Sequence, residues 1–344
     1  LENVPVANPV YDFLKRMEVK GIITGYYNVV LPISREEVAR FLIEIDRHRD
    51  KLSSTDRGFL DDFKIEFGPD MGLGTANELS IFSGEGTFSE RLRDIFSEKE
   101  KYLYVYRDSS SSFYVDGLGF ASIHFGNGDP WDKKSFWTSI LGPRFRGTVW
   151  DRLGYYLQVT TWYVAGDRNF AFSYPEYRRN SKLQRGQRSF EVTEGYMSIN
   201  TGPLHLQFGR ERFLWGRGYN EKLIVSENAS AMDYARIDAA LGKVRYTFIH
   251  SWLLGQEKLV RNPYAGSLES LIDSKYLAAH RIELSVPRKF SWGLGELIVY
   301  SRRFIDLAYL NPVNFYKTIE TEFHNRDNAL VTTDLAVYLS PNIE

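Results

Sequence analysis

Apolar residues at the start of the chain recur every three or four positions, the spacing of one face of an amphipathic helix. Val10, Phe13, Leu14 and Met17 follow this spacing. Asn8 stands before a proline, and these two residue types are typical of a helix start. The pattern therefore predicts a first helix from about residue 9.

Two more helices are predicted before residue 70. Ser34 and Glu37 have the spacing of a capping box, and Ser53 with Asp56 is typical of a third helix start. The apolar stripes that follow are Val38, Phe41, Leu42 and Ile45, then Phe59, Leu60, Phe63 and Phe67. Three short helices can bury such stripes against one another, so residues 1–70 are predicted to form a small helical domain. Residues 71–100 are rich in glycine and are predicted to be a linker.

From residue 101 the apolar period changes to two, which is the period of a β-strand. The predicted strands are 101–106, 113–125, 138–150, 155–164, 189–200, 204–213, 234–241, 244–253, 279–286, 293–300 and 330–339. Tight connections such as 200–203 and 242–243 contrast with long polar ones at 167–188 and 256–275. The chain is predicted to be mainly β, with a large antiparallel sheet over residues 101–344.

Several of these strands alternate between apolar and polar residues. Leu206 and Phe208 alternate with His205 and Gln207, as a transmembrane β-barrel with a polar interior requires. A soluble sandwich with a polar outside gives the same alternation, so this pattern alone does not separate the two folds. Short turns on one side, long loops on the other and aromatic residues near strand ends favour an outer-membrane barrel.

Composition removes several classes of function. The 43 Lys and Arg against 44 Asp and Glu leave a net charge of -1, which offers no global attraction to nucleic acid. Cysteine is absent, which excludes disulfides, Cys-ligated metal and a thiol nucleophile. The six histidines have no HxH or HExxH spacing, and no glycine-rich motif opens a helix, so neither a metal nor a nucleotide cofactor is predicted. The chain starts at Leu1, and we expect a targeting peptide to have been removed.

Several stretches are more specific than barrel patterning requires, and they resemble the Wzi-type capsule assembly family of outer-membrane proteins. They include residues 4–14, 31–38, 52–56, 209–210, 215–219, 233–238, 305–315 and 326–330. The resemblance implies a periplasmic helical domain followed by an outer-membrane β-barrel that holds capsular polysaccharide without covalent chemistry, as a lectin does. Because family barrels have more strands than eleven, we expect the C-terminal strands to be missing from this sequence.

The resemblance and the residue chemistry together point to one candidate region around residues 209–236. Arginine forms forked bonds to carboxylates, and tryptophan offers a flat face to a sugar ring. The candidates are Arg210, Arg212, Trp215, Arg217, Tyr219, Asp233 and Arg236. The alternative, in which the arginines pair with Glu191, Glu211 and Glu283 to hold an inward-folded loop, is favoured at most of these positions.

A second candidate region surrounds Pro312, where the strand alternation breaks. We expect a loop or short helix that lies in or over the barrel interior as a plug. Residues 326–328 are predicted to form a turn before the last strand, because Asp and Asn side chains form hydrogen bonds with their own backbone. The candidates here are Asp306, Tyr309, Asn311, Asn314, Arg326, Asp327 and Asn328.

Two other functions stay open at this point. A polar barrel interior could pass solutes, as in a porin. A glycan hydrolase needs two facing carboxylates, and the pairs Asp61 with Asp62 and Glu320 with Glu322 are candidates that sequence spacing alone does not support. The expected partners of the barrel are surface polysaccharide and outer-membrane lipid. For the helical domain, a cell-wall polymer or a periplasmic protein is a possible partner.

Overall fold

The computed structural model describes residues 1–178, 181–218, 222, 224–226, 229–255, 257–261, 264, 266–323 and 327–340. The chain forms two compact units. Unit 1 comprises Leu1–Met17, Tyr26–Ser198 and Arg212–Ala231. Unit 2 comprises Glu18–Gly25, Ile199–Glu211 and Met232–Glu344.

The three helices predicted before residue 70 are present. They are α1 (Val10–Val19), α2 (Arg35–Arg47) and α3 (Ser54–Glu66). Their starts follow the predicted caps: the Ser34 hydroxyl accepts a bond of 3.1 Å from the backbone N–H of Glu37, and Ser53 accepts one of 3.1 Å from Asp56. The predicted apolar stripes of α1 and α2 are buried.

Helices also occur outside the first 70 residues. In the described part of the chain they are α4 (Phe88–Arg93), α5 (Arg168–Ala171), α6 (Pro175–Arg178), α7 (Ser181–Gln184), α8 (Leu307–Leu310) and α9 (Tyr316–Glu322), with 3-10 turns at Arg49–Lys51 and Asp94–Phe96. A three-helix domain is therefore not the whole helical content. None of the described helices has the length and apolar character needed to cross a bilayer.

The seventeen described strands are β1 (Val30–Leu31), β2 (Glu78–Ser80), β3 (Glu100–Tyr102), β4 (Tyr104–Arg107), β5 (Ser112–Phe125), β6 (Ser135–Val149), β7 (Leu153–Gly166), β8 (Ser189–Asn200), β9 (Leu204–Glu211), β10 (Leu214–Trp215), β11 (Met232–Leu241), β12 (Val244–Leu253), β13 (Glu257–Arg261), β14 (Leu268–Ile272), β15 (Lys275–Val286), β16 (Phe290–Ser301) and β17 (Asn328–Val337). Eleven of them form one sheet in the order β17-β16-β15-β12-β11-β9-β8-β7-β6-β5-β4. The predicted mainly β, antiparallel fold is confirmed. Among the described residues β4 and β17 are the edges of an open sheet, so a closed barrel is not seen.

The connections of this sheet alternate between short and long. The short ones are residues 108–111, 150–152, 201–203, 242–243 and 287–289, and the long ones are 126–134, 167–188, 212–231, 254–274 and 302–327. Gly242 has a φ of 62°, the left-handed backbone that a two-residue hairpin turn needs. In an antiparallel meander every second connection lies at the same end of the strands. The short turns are therefore at one end and the long loops at the other, as predicted.

One face of the sheet in unit 1 is polar and covered. Arg146 and Asp116 lie on this face, which is buried. At the short-turn end Glu2 reaches Arg146, and at the long-loop end the segment of α5–α7 packs Phe170 on Phe136 with ring centroids 5.2 Å apart. The opposite face carries exposed apolar side chains such as Leu141.

Unit 2 has the same division. Cross-strand register places Arg236, Thr247, Arg281 and Asp334 on one face, where burial is high. The other face carries Leu206, Phe208, Ile237, Ile282, Trp292 and Leu335, most of them exposed. In both units buried arginines and their carboxylate partners are thus on the covered face of the sheet, whereas in unit 2 the register places Arg210 and Asp233 on the other face.

Candidate functional site

Arg210 and Asp233 form an exposed ion pair at the long-loop end of β9 and β11. They face each other directly across the two strands, and Arg210 Nη1 lies 2.8 Å from Asp233 Oδ1. Their side chains are 41% and 57% exposed. Exposed pairs of this kind contribute at most about 1 kcal/mol, so a charged ligand can compete for either partner at low cost.

The next arginines belong to the segment after β9. Arg212 Nε lies 3.5 Å from Glu194 Oε1, and Arg217 is half-buried. Arg210 and Arg212 therefore pair with Asp233 and Glu194 rather than with the predicted Glu191, Glu211 and Glu283. Tyr219 lies outside the described residues.

Trp215 is fully buried, with 0% exposure. It pairs with Val30 in the two-stranded ladder of β10 and β1, and its N–H donates 2.9 Å to the carbonyl of Val225. The next residue, Gly216, has a φ of 107° and donates 2.8 Å to the carbonyl of Val29. Trp215 thus joins the segment after β9 to the chain between α1 and α2, and it has no face free for a sugar ring.

Arg236 is also buried, within a polar cluster of unit 2. Its Nε lies 2.8 Å from Asp238 Oδ2, and Asp238 accepts a bond of 2.8 Å from the Thr247 hydroxyl. His205 Nδ1 is 3.7 Å from the same carboxylate. These contacts hold the Arg236 side chain in place, and it is 7% exposed.

The segment around Pro312 is a compact turn with two short helices. Asp306 caps α8 by accepting 3.0 Å from the N–H of Ala308, and the Asn314 amide donates 2.9 Å to the carbonyl of Ala308. Asn311 accepts 3.1 Å from the N–H of Val313 and donates 3.2 Å to Asn314. The predicted short helix is confirmed, and the polar side chains hold its local shape while Asn311 stays exposed.

Beneath this turn lies an ion pair between Arg303 and Asp327. Its two nitrogen–oxygen distances are 2.8 and 2.6 Å. The hydrogen bonds that Arg303 donates to Asp327 raise the pKa of the guanidinium above its usual value. Tyr309, which is fully buried, donates 2.9 Å to the same carboxylate. Asp327 and Tyr309 therefore hold the segment together, while Asn328 at the start of β17 is exposed and Arg326 lies outside the described residues.

This segment does not lie over the polar face, where the plug was expected. Tyr309 packs on Tyr300 and Tyr316 packs on His280, with ring centroids 5.1 and 4.6 Å apart. Register places Tyr300 and His280 on the face opposite Arg281. On this face Tyr309, Tyr316 and Ile319 pack against Phe248, Ala278, Ile298 and Tyr300.

The candidates therefore divide into two accessible groups. Arg210 with Asp233 lies on β9 and β11, whereas Asn328 lies on β17, four strand spacings from β11. Four spacings amount to roughly 19 Å, so the two groups are separate contact points and not one pocket. Arg212 and Arg217 follow Arg210 in the chain, while Asp306, Asn311 and Asn314 precede Asn328 in the connection between β16 and β17.

Several polar contacts were not predicted. Arg281 makes bonds of 2.7 and 2.9 Å to Asp334, and His250 Nε2 lies 2.9 Å from the Tyr300 hydroxyl. The contact between Arg281 and Asp334 had a signal in the sequence, because each is a charged residue on the polar side of an alternating strand. The second contact joins two residues of β12 and β16 that have no opposite charges to indicate a pair.

In each pair of acids considered for hydrolysis, one carboxylate contacts a basic side chain. Asp61 accepts two bonds of 2.7 Å from Arg49, and Glu320 lies 2.5 Å from Lys317. Within the described residues, no group of three or more His, Asp or Glu side chains is arranged to hold a metal ion.

Residues 144–267 match the family described as capsule assembly protein Wzi. The match confirms the predicted resemblance and includes the stretches 209–210, 215–219 and 233–238, although it does not reach residues 305–315. No curated protein and no solved structure gave a match.

Proposed function

We propose, from the match of residues 144–267 to the Wzi-type capsule assembly family, that this chain is an outer-membrane protein that holds capsular polysaccharide at the cell surface. In this proposal residues 1–70 form a periplasmic helical domain and residues 71–100 link it to the sheet. Residues from 101 onward belong to a transmembrane β-barrel. Binding is non-covalent and needs no cofactor.

The observation that carries this proposal is the polarity of the two sheet faces. Arg146, Arg236 and Arg281 are buried on the covered face, whereas Leu141, Phe208 and Leu335 are 72%, 66% and 59% exposed on the other. A soluble sandwich buries its apolar face and exposes its polar one. A barrel in lipid does the reverse, so this arrangement supports a membrane location over the sandwich alternative.

The two ends of the sheet support an orientation. In unit 2 the accessible candidates Arg210, Asp233 and Asn328 lie where strands meet long connections, and in unit 1 the chain start contacts Arg146 near the short turn 150–152. Outer-membrane barrels have short periplasmic turns and long extracellular loops. The candidates would then face the cell exterior, and the helical domain would face the periplasm.

Retention is better supported than a porin-like channel. On the polar face of unit 1, Glu2 occupies the short-turn end and Phe170 the long-loop end. Both segments fill space that a solute would have to cross. The polar face of unit 2 is occupied by side chains that bond one another, such as Arg281 and Asp334.

The proposed glycan contacts are the accessible polar side chains at the long-loop end. Capsular glycans are often acidic, and a guanidinium binds a carboxylate through two parallel bonds. We assign this contact to Arg210 and Arg212 first, with Arg217, Asp233, Asp306, Asn311, Asn314 and Asn328 as further contacts. Tyr219 and Arg326 stay in the proposal by sequence alone. The buried Trp215, Arg236, Tyr309 and Asp327 hold the structure around them.

A binding measurement on the detergent-solubilised protein tests this function. Immobilised capsular polysaccharide from the producing strain would be titrated with wild type and with Arg210→Gln. The matched control is Arg49→Gln, because Arg49 and Asp61 form a pair of 2.7 Å with exposed fractions of 39% and 54%, close to those of Arg210 and Asp233.

We expect Arg210→Gln to weaken binding about tenfold, the value of one charge-assisted bond of about 1.4 kcal/mol, and Arg49→Gln to leave it unchanged. Equal affinities of the two variants would reject the assignment of Arg210. Absence of binding by the folded wild type would reject the function itself.

A further inference from the structure

The segment between β16 and β17, residues 302–327, is here named the rim segment. It contains α8 and α9 and lies at the long-loop end of the sheet. Its aromatic residues divide between two environments, because Tyr309 and Tyr316 are buried whereas Phe304 and Phe315 are exposed.

The inner side of the rim segment packs on the apolar face of unit 2. Tyr309, Tyr316 and Ile319 form a buried cluster with Phe248, Ala278, Ile298 and Tyr300. The Tyr246 hydroxyl donates to the carbonyl of Pro312. The segment is thus fixed to the face whose remaining residues, such as Ile282 and Leu335, are exposed.

Polar groups of the rim segment are bonded within this packed layer. Arg303 and Tyr309 bond Asp327, as described above, and the N–H of Tyr316 donates 2.8 Å to Glu296 Oε2. The N–H of Asp306 donates 3.3 Å to the Tyr300 hydroxyl. These groups have protein partners and do not depend on water for them.

The outer side exposes five large apolar side chains beside polar ones such as Arg302, Asn311 and Lys317. Phe304, Leu307, Val313, Phe315 and Phe323 are 94%, 78%, 80%, 67% and 59% exposed. Single exposed apolar residues are ordinary on a protein surface, but between residues 304 and 315 four large apolar side chains are exposed and Asn311 is the one exposed polar residue. Each such side chain gains free energy when it is taken out of water.

We propose that the rim segment is a lipid-binding element, and that Phe304, Leu307, Val313 and Phe315 contact acyl chains at the membrane boundary. The inference rests on the proposed membrane location. It is supported by continuity, because the segment lies on the same face as the exposed apolar side chains of β15, β16 and β17. Its consequence is that this edge of the protein is anchored at a fixed depth, with Asn311 and Asn328 held beside the membrane surface.

Because the chain has no cysteine, single-cysteine variants can be labelled at one chosen position. Leu307→Cys tests the rim segment, Leu335→Cys tests the strand face, and Phe82→Cys is the control. Phe82 is 63% exposed in unit 1, in the proposed linker. Each variant would carry a fluorescent label and be reconstituted in phosphatidylcholine vesicles with a nitroxide on the acyl chain, or with a nitroxide in the buffer.

We expect the acyl-chain nitroxide to remove most of the fluorescence at positions 307 and 335, and the buffer nitroxide to quench only position 82. If the acyl-chain nitroxide quenches the label at position 335 but the buffer nitroxide quenches the label at position 307, the rim segment does not bind lipid. The membrane location of the strands would still stand. Buffer quenching at both would overturn the two together. Val313→Cys, on the same outer side, replaces Leu307→Cys if that variant does not fold.

Discussion

Glu2 and Arg146 are 144 positions apart in the chain, yet Arg146 Nη1 donates 3.2 Å to Glu2 Oε2 and both side chains are buried. Thr148 donates 3.2 Å to the other oxygen of Glu2, and the N–H of Asn3 donates 2.6 Å to the Tyr196 hydroxyl. The chain start is thus bound to the polar face of the sheet in unit 1, before the first helix begins.

Replacing Glu2 by glutamine should loosen this attachment. Gln keeps the shape but removes the charge of Glu2, and Asp116, 3.7 Å away, then remains as an ion-pair partner of the buried Arg146. We expect a loss of about 2 kcal/mol in the free energy of unfolding, and faster hydrogen exchange in residues 1–14. The control is Asp61→Asn in an exposed pair, which should cost less than about 1 kcal/mol. Equal costs for the two variants would mean that the buried pair has no special role.

Asp70 should make the stability of unit 1 depend on pH. Burial alone would raise the pKa of Asp70, but the Arg35 guanidinium, 2.8 Å away, outweighs it and the pKa is lowered. Because the pKa is lowered, this pair stabilises the fold at pH values above the unfolded-state pKa of about 3.9. The contribution is lost as the pH falls below that value and through the lower pKa that Asp70 has in the folded protein.

Unfolding of wild type and Asp70→Asn at a series of pH values measures this contribution. The variant should be less stable at pH 7, and the difference should shrink as the pH falls below about 4. A difference that stays constant with pH would contradict the role given to the charge of Asp70.

Trp215 should act through packing and not through sugar stacking. Trp215→Ala should destabilise the protein by about 3–5 kcal/mol, since it empties a fully buried site. Trp215→Phe keeps most of the volume, so the folded variant should bind capsular polysaccharide as wild type does. Loss of binding by folded Trp215→Phe would restore the tryptophan as a glycan contact.

Gly293 leaves room for the ion pair between Arg281 and Asp334. A Cβ at this position would lie 1.8 Å from Arg281 Nη2, which Asp334 holds in place. Gly293→Ala should therefore cost about 2 kcal/mol in denaturant unfolding. Gly119→Ala is the matched strand control, because its Cβ would meet only Leu141 Cδ1 at 3.9 Å. Equal stability of both variants would contradict this account.

Local pattern predicts the elements well, because helix and strand periods and caps are properties of neighbouring residues. Ser34 and Ser53 cap the predicted helices, and all eleven predicted strand segments coincide with strands of the structure. Boundaries shift by a few residues, as at β15, which begins at Lys275 and not at residue 279.

What covers each face could not be read from the sequence. Trp215 is in a glycine-rich stretch that looks like an exposed binding loop, and its pairing with Val30 joins residues far apart in the chain. The rim segment has the residues of a plug, yet Tyr309 and Tyr316 find their partners on the apolar face. Both outcomes depend on contacts between segments that are distant in the chain, and the spacing of apolar residues along the chain does not predict such contacts.

The central claim, retention of capsule, is tested most directly in the producing strain. Capsular polysaccharide would be measured separately on sedimented cells and in the medium, with and without the gene for this protein. We predict that loss of the protein moves polysaccharide from the cells to the medium while the total stays the same, and that the wild-type gene restores it. An unchanged distribution between cells and medium would contradict the account.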